Sequence, residues 1–212
     1  MITRRLLIAV LAATVSSACD GAPRSGDNGA EAPVEEGVFG TAPAATGGVP
    51  SVVTLTPLTA PTPSGHAVDP SPLMDQFGLA FSPRRLVVPL GSTTRFTNSE
   101  GSLAHNVRVR FADDGSQLFS GDASPGTTLE VDFMKEGGYD VLCDMHPGMT
   151  AFIYVTAAPF HVFADVDGAF LVTGVPEGQY TLDVWNVDAA ARSKQSIVVG
   201  PGATEIVTGP SR

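Results

Sequence analysis

The chain has 212 residues, 43% of them hydrophobic and 16% charged, with 23 glycines, 17 prolines and a formal net charge of −10. That length suits one large or two small domains, and the Gly/Pro content with low charge points to a β-rich protein carrying some low-complexity sequence. The acidic balance excludes nucleic-acid binding, which needs a basic footprint, and favours a basic protein as any charged partner.

At the N-terminus, Arg4 and Arg5 precede the apolar run LLIAVLAA, and the small residues TVSSAC follow. Charged, apolar and small segments in that order form a secretory signal over 1–18, with an apolar run too short to span a bilayer comfortably. Cys19 after Ser-Ser-Ala resembles a bacterial lipoprotein cleavage site, although Ser16 stands where such sites usually have Leu. The expectation is an exported protein of the periplasm or cell envelope, held at the membrane by a lipid on Cys19. Ordinary cleavage near Ala18 is the alternative. Residues 19–33 are rich in Gly, Ala and Pro and read as a flexible tether. Of two cysteines in the chain, only Cys143 then lies in the folded part. A lone thiol in an oxidising compartment is a liability unless something occupies it.

From Val34 onward the pattern is that of strands. GVFGTA and GGVPSVVTLTPL come first, with Val53 and Leu55 sharing a face, and a Pro-rich connection follows over 59–72. RRLVVPL and STTRFTN flank a turn at Gly91. NVRVRFA alternates Val107, Val109 and Phe111 with Asn106, Arg108 and Arg110, as a half-buried strand does. TTLEVDF repeats the alternation, GGYDVLC sets Tyr139, Val141 and Cys143 on one face, and TAFIYVT is dense in strand formers. Beyond residue 158, AFLVTGV, QYTLDVW and SIVVGPGATEIVTG supply further strands around Asp-Gly, Pro-Glu-Gly and Pro-Gly turns. No segment after the signal has helical periodicity. The fold class is therefore all-β, of the sandwich kind.

The chemistry concentrates in VLCDMHPGM, residues 141–149. Cys143, His146 and Met149 recur every third residue around a Pro147-Gly148 turn, and His105 opens a strand well upstream. An electron-transfer copper site takes one thiolate and two imidazoles in a near-trigonal plane, with a weak thioether on the axis. Those four residues supply that set, and the turn returns His146 and Met149 toward Cys143. Met145 lies between two ligands and should point away. Of the four histidines, only His66 and His161 remain, too few for a multicopper oxidase. His66 reads as solvent-exposed in its Pro-rich connection and His161 as a strand residue. Haem attachment lacks its C-x-x-C-H signature, and a thioether is a poor zinc ligand. Asp165 and Asp167 read as a turn, and Tyr180 and Trp185 as core.

The segment resembles the cupredoxins of plastocyanin and amicyanin type, whose ligand loop has the same short Cys-x-x-His-x-x-Met form. In that family the early His is followed by Asn, as His105 is by Asn106, and the resemblance implies that Asn106 joins the two ligand-bearing loops by hydrogen bonds. Gly148 and Ala104 depart from the family, which commonly has a bulkier residue at the first position and an aromatic one at the second. The wider stretch from MDQFGLAF to QYTLDVW resembles bacterial methylamine-utilisation-like proteins, in which a cupredoxin is fused with a carboxypeptidase regulatory-like (transthyretin-like) sandwich. That resemblance implies that 34–60 are the first strands of the regulatory-like sandwich, 66–157 an inserted cupredoxin domain, and 158–209 the remainder. A tether followed by two consecutive domains is the alternative. It implies as well a single mononuclear type 1 copper, one-electron transfer rather than enzymatic turnover, and a redox partner protein. A copper-delivery or surface-anchored binding module without a redox role is the rival.

Overall fold

The computed structural model describes residues 37–59, 65 and 71–208. The signal-like segment, Cys19, the tether and His66 lie outside the described residues. Among the described residues sixteen strands are formed, in an order that interleaves two sandwiches. The first two are β1 (Gly37–Thr41) and β2 (Val52–Pro57). Nine follow: β3 (Leu73–Phe77), β4 (Ala80–Ser82), β5 (Arg85–Pro89), β6 (Ser92–Asn98), β7 (His105–Phe111), β8 (Gln117–Ala123), β9 (Thr128–Phe133), β10 (Gly137–Leu142) and β11 (Thr150–Thr156). The last five are β12 (Phe160–Phe163), β13 (Ala169–Thr173), β14 (Gly178–Trp185), β15 (Ser193–Val199) and β16 (Ala203–Val207).

Strands β3 to β11 make one sandwich from a five-stranded sheet, ordered β5-β11-β10-β7-β8, and a four-stranded sheet, ordered β4-β3-β6-β9. The period-2 alternation decides which faces meet. Val107, Val109, Val131, Phe133, Tyr139 and Val141 all point inward and form one cluster with Met74, Phe81, Phe96 and Ile153. Burying each large side chain stabilises the sandwich by about 1.5–3 kcal/mol. Cys143 and Met149 belong to the same cluster, so the ligand loop is seated on the core. The turn at Gly91 carries the chain from one sheet to the other, since β5 pairs with β11 and β6 with β3 and β9.

The remaining strands make a second sandwich of sheets β13-β1-β16 and β12-β2-β14-β15. Both strands that precede the first sandwich are thus paired with strands that follow it. β1 lies between β13 and β16, and β2 between β12 and β14. Val38, Val53, Leu55, Phe160, Tyr180, Leu182 and Val184 fill its interior.

A smaller cluster of Val52, Phe152, Tyr154 and Trp185 joins the two sandwiches. Trp185 therefore serves the junction, not the interior of its own sandwich. It is tilted against Phe152 with ring centroids 5.2 Å apart. The Arg192 guanidinium covers the same indole, 4.7 Å from its ring, and ion-pairs with Asp113 of the β7–β8 turn. Gly138 permits the approach, because a Cβ there would come within 2.6 Å of Phe152 and Trp185 ring atoms. Three strands escape the sequence reading, β3, β4 and β8. Strand β8 is an edge strand with mostly exposed side chains, so its sequence QLFSGDA has little apolar alternation to detect.

Candidate metal centre

Register places the donors before any local geometry does. β10 runs antiparallel to β7 with Val141 opposite Val109 and Leu142 opposite Arg108. His105 opens β7 and Cys143 directly follows β10, so both arrive at the same end of the sheet. The loop from Cys143 to Met149 then closes on itself. The Cys143 amide donates to the Met149 carbonyl, and the Met149 amide donates to the His146 carbonyl, each at 3.1 Å. Gly148 turns the chain with φ +91°, in the left-handed region where a side chain would be strained. The bulkier residue common in the family at this position is thus replaced by one suited to this backbone.

The result is a triangle of donor atoms. His105 Nδ1 lies 3.0 Å from His146 Nδ1 and 3.8 Å from Cys143 Sγ, and His146 Nδ1 lies 3.6 Å from Cys143 Sγ. A transition-metal ion bound at about 2.0 Å from each nitrogen and about 2.3 Å from sulfur needs donor separations of roughly 3.3–3.8 Å. The donors present fit one such ion with a shift of a few tenths of an ångström. His105, Cys143 and Met149 are buried, at 0%, 5% and 2% exposure, while His146 is partly exposed. Burial first, and then the facing His146, lower the pKa of His105, against the opposing effect of Glu100. That direction favours the neutral imidazole, the form that offers a lone pair to a metal.

Asn106 connects the two chain segments. Its Oδ1 accepts from the Asp144 amide at 2.7 Å and the Met145 amide at 3.4 Å, and its Nδ2 donates to Asp144 Oδ2 at 3.0 Å. The Asn106 carbonyl in turn accepts from Gln76 Nε2 at 3.2 Å, which links the second sheet to the site. Asp144 is also clamped from β7 by Arg108 at 2.8 Å. Met145 is 45% exposed, whereas Met149 is buried at 2%. His161 lies on β12 in the other sandwich. Asp165 makes a turn, its Oδ1 accepting from the Asp167 and Ala169 amides. The sequence reading misses four supporting side chains, Gln76, Arg108, Asp144 and Glu100. The charge alternation in VRVRF could have signalled Arg108, and the acid in NSEGSLAHN Glu100.

A buried thiol, two imidazoles and a buried thioether at one end of a β-sandwich are a donor set that fits a copper ion. Residues 73–156 match the family of copper binding proteins of plastocyanin/azurin type. Among solved structures, a purple cupredoxin from Nitrosopumilus maritimus is 25% identical, covering 40% of this chain and 99% of its own with a TM-score of 0.35. A reduced amicyanin variant is 22% identical over 49% of this chain and 99% of its own, with a TM-score of 0.37. Dithionite-reduced auracyanin from Roseiflexus castenholzii is 18% identical over 42% of this chain and 99% of its own, with a TM-score of 0.36. No curated protein matches the chain. The cofactor of the domain is a single copper, with His105, Cys143, His146 and Met149 positioned for it.

Proposed function

We propose that this chain is an exported one-electron carrier with a mononuclear type 1 copper. The observation that carries the reading is the donor triangle, already assembled from two distant chain segments and tied together by Asn106. Copper held there supplies a one-electron couple between Cu(I) and Cu(II). The protein's residues do the rest. Cys143 and the two imidazoles offer mixed soft and intermediate donors acceptable to both oxidation states, while the buried Met149 thioether and the apolar cluster keep water from the site. His146, the one partly exposed member of the set, is the port through which a redox partner protein exchanges the electron. Four protein donors leave no open position for a substrate, which argues for a carrier over an enzyme.

The paired strands of 34–60 and 158–209 support reading the second sandwich as one regulatory-like unit that holds the cupredoxin as an insertion. The Arg4–Arg5 pair, LLIAVLAA and Cys19 support export to the periplasm or cell envelope with a lipid anchor. The test is to load purified protein with Cu(II). An intense thiolate-to-copper charge-transfer band, reversible voltammetry and loss of both in Cys143→Ser are expected. Colourless protein that binds only Cu(I) would overturn the reading in favour of copper delivery.

A further inference from the structure

The ring nitrogen of His105 that faces away from the donor triangle has its own environment. Nε2 is fully buried and makes no hydrogen bond. It lies 3.7 Å from Glu100 Oε1, beyond hydrogen-bond length but within ion-pair reach. The Glu100 side chain is only 16% exposed. Two amides of the β3–β4 turn hold that same oxygen, Gly78 N at 2.7 Å and Leu79 N at 3.4 Å. Leu79 adopts φ +59° in doing so, an uncommon backbone conformation for a residue with a side chain. The Glu100 amide is in turn bonded to Asn98 Oδ1, and Asn98 Nδ2 donates to the Leu103 and Ala123 carbonyls. One carboxylate oxygen is thus held by two turn amides, and that same oxygen is the one that lies beside the imidazole.

We propose that Glu100 is a positioning residue for the metal centre, accepting the Nε2–H of His105 and lowering the reduction potential of the copper held there. The inference rests on the electron-carrier reading. A metal on Nδ1 fixes the tautomer, leaving the proton on Nε2, and a buried N–H requires an acceptor. Glu100 is the one carboxylate among the described residues recorded within 4.0 Å of that atom. A carboxylate bonded to a metal-bound imidazole makes it a stronger donor and sets its ring orientation. It also places a negative charge beside the centre in a poorly solvated region, where the charge favours Cu(II) over Cu(I). Gln in its place would keep an acceptor for the two turn amides and remove the charge.

The experiment compares wild type, Glu100→Gln and Glu100→Ala by voltammetry, by competition for Cu(I) and Cu(II), by spin-echo modulation from the remote imidazole nitrogens, and by melting of the metal-free protein. Loss of such a partner weakens metal binding by roughly 10–100-fold. If Glu100→Gln loses about tenfold in Cu(II) affinity with Cu(I) affinity unchanged, the potential rises by about 59 mV. That result, with the visible band retained and one remote nitrogen coupling altered, supports the proposal. A potential within a few millivolts of wild type in both variants overturns it, even if melting falls, because Glu100 then only braces the 78–79 turn. A wild-type protein without the charge-transfer band overturns the electron-carrier reading itself. The Cu(I) and Cu(II) competition still decides Glu100 in that case, since an unchanged affinity ratio refutes its role.

Discussion

Replacing Asn106 with Ala removes a side chain of β7 that grips the ligand loop at Asp144 and Met145. Asn106 is 5% exposed, and the substitution deletes its 2.7 Å bond from the Asp144 amide, its longer one from the Met145 amide and its 3.0 Å bond to the Asp144 carboxylate. A neutral hydrogen bond contributes about 1 kcal/mol, and one to a charged group about 1.5–3 kcal/mol. The Asp144 side chain is half exposed and already paired with Arg108, so the charged contribution is discounted toward the neutral one. The expected loss is about 2 kcal/mol in the metal-free protein. For a chain of this size that lowers Tm by roughly 4–8 °C. Urea denaturation of metal-free Asn106→Ala measures it directly, and stopped-flow copper removal by a chelator should become at least several-fold faster. Asp144→Ala is the control: it keeps the backbone amide that Asn106 grips and loses only the exposed carboxylate, so it should cost under about 1 kcal/mol. Equal destabilisation by the two variants, or less than about 0.5 kcal/mol from Asn106→Ala, refutes the reasoning.

Other consequences follow from single contacts. Gly138→Val drives a side chain into the Phe152 and Trp185 rings and should destabilise the protein by about 1–3 kcal/mol in urea melts, with a change in Trp185 fluorescence. Gly148→Ala has open space for its Cβ but a backbone at φ +91°, so it should cost about 1–3 kcal/mol from strain alone, while Gly91→Ala at φ +83° behaves alike without touching copper binding. His105 has a lowered pKa in the folded state, so the unfolded chain takes up its proton first as pH falls. Metal-free stability should accordingly be level above the unfolded value near 6.5 and decline below it, by up to about 1.4 kcal/mol per pH unit. Denaturation midpoints between pH 5 and 8 test this, and His105→Gln should flatten the slope.

The core of the site was legible in the sequence because its donors sit in one nine-residue stretch plus a His-Asn pair. Their residue types are unusual enough together to specify a metal. The period-2 patterns of β7, β9 and β10 likewise named the inward faces correctly, since each strand has one dry and one wet side. What local patterning could not give was pairing. Nothing in GVFGT says that Gly37–Thr41 will lie antiparallel to one strand and parallel to another more than a hundred residues away. Trp185 shows the same limit, because an apolar residue at a strand end reads as core whichever sandwich it covers. Glu100 was invisible for a different reason: an acid in a Gly/Ser loop looks solvated until the β3–β4 turn is folded over it.

The distribution of tethers bears on which of the two copper readings is physically easier. Delivery needs the ligand loop to open so that Cys143 and His146 can pass the ion to an acceptor. That loop is fixed at Cys143 and Met149 by its own turn, at Asp144 and Met145 by Asn106, and at its base by the core cluster. If the Asn106 contacts alone are worth about 2 kcal/mol, closed loops outnumber loops freed of them by roughly thirtyfold before any metal–ligand bond is counted. A carrier gains from the same stiffness, because donors that stay in place when the metal changes charge leave little structure to rearrange with each electron. Asn106→Ala therefore separates the readings: it should raise copper exchange while slowing electron self-exchange, whereas a delivery protein would have its normal function improved.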